Sequence, residues 1–124
     1  SRRGPTSYTT LYTSRAFAEA NPKVLEAMAN AVQDALTWVH EHSGREIAEQ
    51  VGKYFPDLDR DRLAGAVDRY QHFGVWGTDP VLPLEGFVRL KSALIADGFI
   101  VSDIPFESCV DNRFARAAAG YTRS

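Results

Sequence analysis

The sequence has little cysteine, no excess of charge of either sign and no long apolar run. Its single cysteine, Cys109, has no partner for an internal disulfide or for a thiolate metal cluster. Fourteen Lys and Arg stand against sixteen Asp and Glu, and the charges are mixed along the chain. That balance lacks the basic footprint of a nucleic-acid-binding protein. No stretch of about 18 consecutive apolar residues is present, so no membrane-spanning segment is expected.

The length and composition are those of an ordinary globular domain. The 124 residues fit one unit on the usual range of about 100 to 200 residues per domain. Hydrophobic residues make up 44% and charged residues 24%, which argues against disorder. We therefore expect a single unit over residues 1–124, with frayed ends at 1–7 and 120–124.

Helix start and stop signals recur along the chain. Pro22 follows Asn21 and predicts a long helix that continues to before Gly44, and Ser43 with Glu46 matches a capping box. Apolar residues then recur at three- and four-residue steps. The pattern predicts five helices: from Pro22, over 44–54, from the Asp59 cap to His72, from Pro83 to a C-cap at Gly98, and over 107–119.

Two short segments have the composition of β-strands. Residues 6–13 are β-branched or aromatic at most positions, and residues 99–101 are apolar. A strand must find partners for its backbone groups, and no turn-linked second strand follows residue 13. The predicted fold class is therefore mainly α, with about five helices and one or two short strands.

Residue patterns for metal binding or catalysis are weak. Asp57 opens a calcium-like alternation of acids, but the loop lacks the glycine and the final glutamate that a calcium loop requires. His40 and His42 point about 200° apart on a helix, so they cannot share a metal there. Cys109 and His72 have no local support as a nucleophile and base. We expect no enzymatic activity, no cofactor and no metal site.

Aromatic residues in a glycine-flanked connection are the most informative feature. His72, Phe73 and Trp76 lie around a loop that could close over a small ligand by stacking, although indole rings most often pack between helices. Tyr8 and Tyr12 carry the same two interpretations, with a cross-strand pair as the alternative to a binding contact. These five residues are the candidate ligand-binding set.

Several short motifs follow one another in the order of a known family. They are residues 8–17 with 20–25, then Trp76 with residues 98–100, then residues 110–114. Together they resemble the strand, Asn-Pro helix start, late tryptophan and final helix of the solute-binding proteins of ABC importers, in the nitrate, sulfonate, taurine and thiamine-pyrimidine group. The resemblance covers the C-terminal part of such proteins and nearly the whole of this chain.

The resemblance implies a function and a set of partners. A complete member is a two-lobed α/β protein of the type II periplasmic-binding class, which captures a small solute and presents it to the permease subunits. This chain would be a C-terminal fragment of that fold, the N-terminal lobe of its own protein would be a partner, and the full-length protein would be periplasmic or extracellular and membrane-anchored. The signal for secretion is absent from these residues.

Two further functions stay open at this point. One is a small helical protein-interaction module with no transport role. The other is the related synthase branch that makes the thiamine pyrimidine, whose cysteine-rich signature does not occur here. Whichever function applies, an exposed strand at residues 6–13 predicts that copies of the chain associate, as a homodimer or by strand exchange.

Overall fold

A computed structural model describes residues 6–121, and within that range the chain forms seven α-helices. The helices are α1 (Arg15–Ala20), α2 (Pro22–Glu41), α3 (Gly44–Val51), α4 (Arg60–His72), α5 (Leu84–Ala96), α6 (Phe106–Cys109) and α7 (Arg113–Ala118). A 3₁₀ turn (Gly52–Tyr54) extends α3. No helix in the described range is both long and apolar enough to cross a membrane.

The helix α2 begins at Pro22, as the sequence predicts. Asn21 precedes it, but its amide donates a hydrogen bond back to the Phe17 carbonyl at 3.2 Å instead of capping α2. That bond belongs to the short helix α1, which is not among the five helices predicted from the sequence. The hydroxyl of Ser14 caps α1 by accepting from the Phe17 N–H at 3.1 Å.

The helices α3 and α4 pack together and hold the buried core of the described residues. Both begin as predicted: Ser43 and Glu46 form the reciprocal capping box, and Asp59 accepts from the Arg62 N–H at 2.8 Å. Their facing sides bury a small set of hydrophobic side chains, which are Ile47, Ala48, Leu63, Ala64 and Val67. This pair is the best-packed part of the fold.

The remaining helices are only partly covered. The last helix, α7, packs along α2, and the predicted apolar face of α2 is half-buried at Leu25 and Val32 while Met28 stays 47% exposed. The helix α5 packs on α6 and is approached at Gly86 by residue Ser7. A β-carbon at Gly86 would collide with that residue, so glycine is needed where the two segments meet.

The predicted strands do not form, and the expectation of a fragment of an α/β fold is wrong for residues 6–121. Residues 6–14 have no regular secondary structure and pair with no other described segment as a strand. The Ser7 N–H donates to the Gly86 carbonyl at 3.4 Å, and the Ser14 carbonyl accepts from the Ala18 N–H of α1 at 3.1 Å. Residues 99–101 follow the end of α5, where the Phe99 N–H turns back to the Leu94 carbonyl. Strand composition without a neighbouring strand leaves a segment without regular secondary structure.

The predicted helix over residues 107–119 is broken into α6 and α7. Residues 110–112 interrupt it, because the Asn112 side chain bonds to the backbone of Leu82 instead of sitting inside a helix. The predicted fraying of residues 1–7 and 120–124 concerns mostly residues outside the described range.

Candidate ligand-binding site

The loop 73–83, between α4 and α5, carries the aromatic residues that the sequence singles out. The chain reverses at its second residue, Gly74, whose φ is 60°, and the Val75 N–H donates to the Tyr70 carbonyl at 2.9 Å. This reversal places the Trp76 ring against Tyr70, with the ring centres 5.5 Å apart and the planes at 75°. The tryptophan is half-buried and packs edge-to-face on the last turns of α4.

The middle of this loop is fixed to α2 by two side chains. The Gln33 amide donates to the Thr78 carbonyl at 3.1 Å and to the Thr37 hydroxyl at 3.2 Å. The His40 Nε2 lies 3.0 Å from the Gly77 carbonyl. A carbonyl can only accept, so this nitrogen carries the proton of the imidazole.

The second half of the loop is fixed to α7 and the residues that flank it. Asn112 both accepts from the Leu82 N–H at 3.0 Å and donates to the Leu82 carbonyl at 2.8 Å. The Tyr121 hydroxyl donates to the Asp79 carboxylate at 3.2 Å, and the other oxygen of Asp79 accepts from the Val81 N–H. The bond to Asp79 and its negative charge raise the pKa of Tyr121.

An open cavity of about 510 Å³ lies where α2, the loop and the end of α7 meet. Polar groups provide most of its walls, and its lining residues are Gln33, Thr78, Asp79, Ala119, Gly120 and Tyr121. A second cavity of about 270 Å³ lies beside α6 and α7. Two of its four charged lining residues, Asp111 and Arg113, pair with each other, and the hydrogen bond from Arg113 lowers the pKa of Asp111.

The five residues predicted for ligand binding do not come together in the structure. Tyr8 and Tyr12 are 89% and 96% exposed on the segment 6–14, and neither lines either of the two cavities described above. His72 and Phe73 pair edge-to-face with each other at the end of α4, and Phe73 is 73% exposed. Trp76 lies in the loop 73–83, two residues before Thr78. Thr78 lines the larger cavity, and Trp76 is not among its lining residues.

The polar residues of the larger cavity are not among those predicted from the sequence. Gln33 interrupts the half-buried side of α2, between Val32 and Leu36, and a polar residue in that register is the signal that marks it. Asp79 precedes a proline in a turn-rich stretch and has no comparable pattern. Tyr121 gives no signal at all in the sequence.

No group of three or more His, Cys, Asp or Glu residues within 6–121 is arranged to hold a metal ion. The exposed Cys109 lies at the end of α6. His42 is engaged by its own helix, with Nδ1 2.7 Å from the Trp38 carbonyl. The polar side chains that line the larger cavity are therefore the groups best placed to form hydrogen bonds with a small solute.

Comparison with known proteins gives one informative similarity. The chain is 24% identical over 112 residues to "Putative binding protein YtlA" of Bacillus subtilis (strain 168). The aligned part covers 90% of this chain and 34% of that protein, so the chain spans about a third of the length of its relative. No family model matches the chain, and no solved structure matches it significantly.

Proposed function

We propose that this chain belongs to the substrate-binding component of an ABC-type importer. The observation that carries the proposal is the similarity, along 90% of the chain, to a protein whose name describes it as a binding protein. The short motifs of residues 8–25 and 98–114 point the same way. In this role the protein captures a small solute of the nitrate, sulfonate, taurine or thiamine-pyrimidine type.

In this role the protein has two kinds of partner and acts outside the cytoplasm. The solute is handed to permease subunits, and a further part of the same protein, N-terminal to this chain, closes on the solute with it. The full-length protein acts in the periplasm or outside the cell with a membrane anchor. The proposal includes no catalytic step.

The structure supports this role through the loop 73–83. Four side chains from α2 and the C-terminal region hold the loop at Gly77, Thr78, Asp79 and Leu82. A binder benefits from such fixed polar groups, because little ordering entropy is lost when the ligand arrives. The half-buried Trp76 offers rigid aromatic surface beside them.

Calorimetry on the full-length protein tests the proposal. Nitrate, taurine, an alkyl sulfonate and an aminopyrimidine are titrated separately, and at least one is expected to bind. Trp76→Ala should then weaken binding by about 1 to 3 kcal/mol if the ring stacks on the solute, a range taken from bases stacked on aromatic rings. Tyr54→Ala, an exposed aromatic residue outside the loop, is the control and should leave affinity unchanged.

Two results would count against parts of this proposal. Absence of binding to every solute would refute the transport role. Unchanged affinity in Trp76→Ala, with a loss of stability of about 3 to 5 kcal/mol, would make the ring a packing element only.

A protein-interaction module is the second candidate function. The observation that favours it is the large amount of exposed apolar surface, such as Leu11 at 70% and Val101 at 97% exposure. On this alternative no small solute binds, and the same calorimetry separates the two functions.

A further inference from the structure

We infer that the exposed apolar side of α2 is an interface with a second copy of this chain, whose own α2 packs antiparallel to the first. Two features of α2 support this interface. One is a row of apolar residues that the described part of the chain leaves uncovered, and the other is the sign of the charges at the two helix ends. The interface goes beyond the transport role and does not depend on it.

The helix α2 has more apolar surface than the described residues cover. Its half-buried side carries Leu25, Val32 and Leu36. A second set of apolar residues recurs at steps of four, three and four positions, so its members lie on another side of the helix. All of them are exposed, and we call them the outer stripe: Val24, Met28, Ala31 and Ala35. Val24 and Met28 are 48% and 47% exposed, so about half of each side chain has no cover among residues 6–121.

The shape of the outer stripe suits another helix. Its spacing is that of the contact positions in paired helices. The two alanines allow a second helix to approach closely, because the distance between helix axes depends on the side chains at the contact. The stripe extends along about 17 Å of the helix axis, which gives room for a continuous contact.

The charges at the two ends of α2 have the sign that its own dipole disfavours. Lys23 lies in the first turn, where the helix carries partial positive charge, and Glu41 is the last residue, where the partial charge is negative. Both side chains are exposed, and neither takes part in an ion pair within residues 6–121. An antiparallel copy of α2 relieves both conflicts, because its negative end lies beside Lys23 and its positive end lies beside Glu41.

A single register pairs the polar residues that border the outer stripe. With Val32 of each copy level with a two-fold axis, Lys23 lies opposite the partner's Glu41, and Asn30 lies opposite the partner's Asp34. The symmetry forms each pair twice. These four residues lie within about 40° of one another around α2, and the same border of two antiparallel helices meets across a two-fold axis. Charge complementarity therefore favours a second copy as the occupant of the stripe.

Charge reversals test the interface by sedimentation of the 124-residue chain. Lys23→Glu and Glu41→Lys should each weaken the dimer by about 10-fold or more, because each places like charges opposite one another at two points. Both changes suit the dipole of the isolated helix better than the natural residues do, so neither should lower the melting temperature. Loss of the dimer would then not be a consequence of unfolding.

A mixture of the two variants is the sharper measurement. The acidic ends of Lys23→Glu match the basic ends of Glu41→Lys, so the mixture should form a heterodimer about as tight as the unaltered dimer. Glu49→Lys, an exposed position on α3, makes the same charge change away from the stripe and should leave the dimer unchanged. Association through residues 6–13 would not respond to these charges, because none of them lies in that segment.

A disulfide near the two-fold axis checks the register. In a chain with Cys109→Ser, the Ala31→Cys side chains of the two copies lie about 3 Å apart along the helix axes, which is within the reach of a disulfide between closely packed helices. They should cross-link when a mild oxidant is added. Gln50→Cys, exposed on α3, is the control and should cross-link much more slowly.

Several outcomes would overturn this interface. A chain that stays monomeric up to millimolar concentration would do so, as would a dimer that is equally tight in Lys23→Glu and Glu41→Lys. A mixture of the two variants that forms no heterodimer, or cross-linking of Ala31→Cys no faster than that of Gln50→Cys, would also contradict it. None of these results concerns solute binding, so the proposed function would stand or fall separately.

Discussion

At the residue scale, two glycines of the α3–α4 pair have opposite surroundings. Gly44 opens α3 and donates its N–H to the Asp68 carboxylate at 2.8 Å. A β-carbon there would collide with the Ala64 carbonyl and with Asp68. Gly65, on α4, has only the guanidinium of Arg69 nearby, at 3.9 Å from such a carbon. Space therefore forbids a side chain at the first position and permits one at the second.

The two glycine substitutions should change stability in opposite directions. Gly44→Ala should lower the free energy of unfolding by about 1 to 3 kcal/mol, because the closely packed backbone of α4 must move. Gly65→Ala should raise it by about 0.5 to 1 kcal/mol, since alanine loses less conformational freedom in a helix. Urea denaturation of both variants checks this, and equal effects would contradict the packing of α3 on α4.

The capping box of α3 makes stability depend on pH. The Ser43 backbone N–H and then its hydroxyl donate to Glu46 and lower the pKa of that carboxyl below its usual 4.5. A carboxyl whose pKa is lower in the folded state stabilises folding above the unfolded pKa. That contribution is lost as the pH falls through the lowered folded value.

Acid titration of a Glu46 variant measures this contribution. As the pH falls from about 6 to about 3, through the ordinary carboxyl range, the unaltered protein should lose more stability than Glu46→Gln. Glutamine keeps a capping oxygen but does not titrate. Glu49→Gln on the same helix, away from the cap, is the control. Parallel stability curves for the unaltered protein and Glu46→Gln would show that the cap does not titrate with folding.

At the element scale, three helices end in the same way. Gly74, Gly98 and Gly120 have φ values of 60°, 74° and 76°, and they follow α4, α5 and α7. In each case the next residue donates its N–H five residues back, at 2.9 to 3.0 Å. This is the Schellman arrangement, which satisfies carbonyls that a helix end otherwise leaves unpaired.

Such local signals explain which elements the sequence predicts correctly. The start of α2 at Pro22, the Ser43 capping box, the Asp59 cap and the stop at Gly98 are all set by residues within a few positions of each helix end. Gly74 and Gly120 carry the same signal as Gly98. The helix boundaries near them could therefore be predicted without knowledge of the tertiary structure.

The wrong expectations depend on contacts between distant residues. A strand over residues 6–13 needs a partner, and local composition cannot supply one. The break between α6 and α7 depends on Asn112 reaching Leu82, thirty positions earlier in the chain. The cavity likewise joins Gln33, Asp79 and Tyr121 from three separate regions, so no spacing in the sequence could assemble it.

The bond between Asn112 and Leu82 should control the order of the loop 73–83. Asn112→Ala removes both hydrogen bonds and should lower stability by about 1 to 3 kcal/mol, because the groups of Leu82 lose their partner. Asn112→Asp keeps an acceptor for the Leu82 N–H, so its stability should lie between those of the unaltered protein and Asn112→Ala. Amide hydrogen exchange at Leu82 should rise in the same order. Equal exchange in all three proteins would mean that the loop is held without this side chain.

At the scale of the whole molecule, the chain has more surface than a compact protein of its mass. Its accessible area is 9727 Å², against about 6,600 Å² for a folded monomer of 13.8 kDa. Five hydrophobic side chains are buried within residues 6–121, while many large ones are exposed. Leu11 and Tyr12 are among the most exposed. Surface of this kind favours association.

We expect the 124-residue chain to self-associate at high micromolar concentration through residues 6–13. Replacing Leu11 and Tyr12 together by serine should shift sedimentation toward the monomer, with an unchanged melting temperature because neither side chain is buried. Phe99 and Val101, also exposed, give the control pair. Monomer alone for the unaltered chain, with no binding of a dye for apolar surface, would contradict this expectation.

The segment 6–14, which has no regular secondary structure, also makes the chain a ready substrate for proteases. A protease binds its substrate as an extended strand, and no helix has to open for these residues to take that shape. Within the described residues, the Ser7 N–H is the one backbone donor of the segment that is bonded outside it. Chymotrypsin should therefore cut after Tyr8, Leu11 or Tyr12 before any helix opens. The product would keep α1 to α7 intact and would melt like the uncut chain, whereas early cuts inside α3 or α4 would mean that the core opens first.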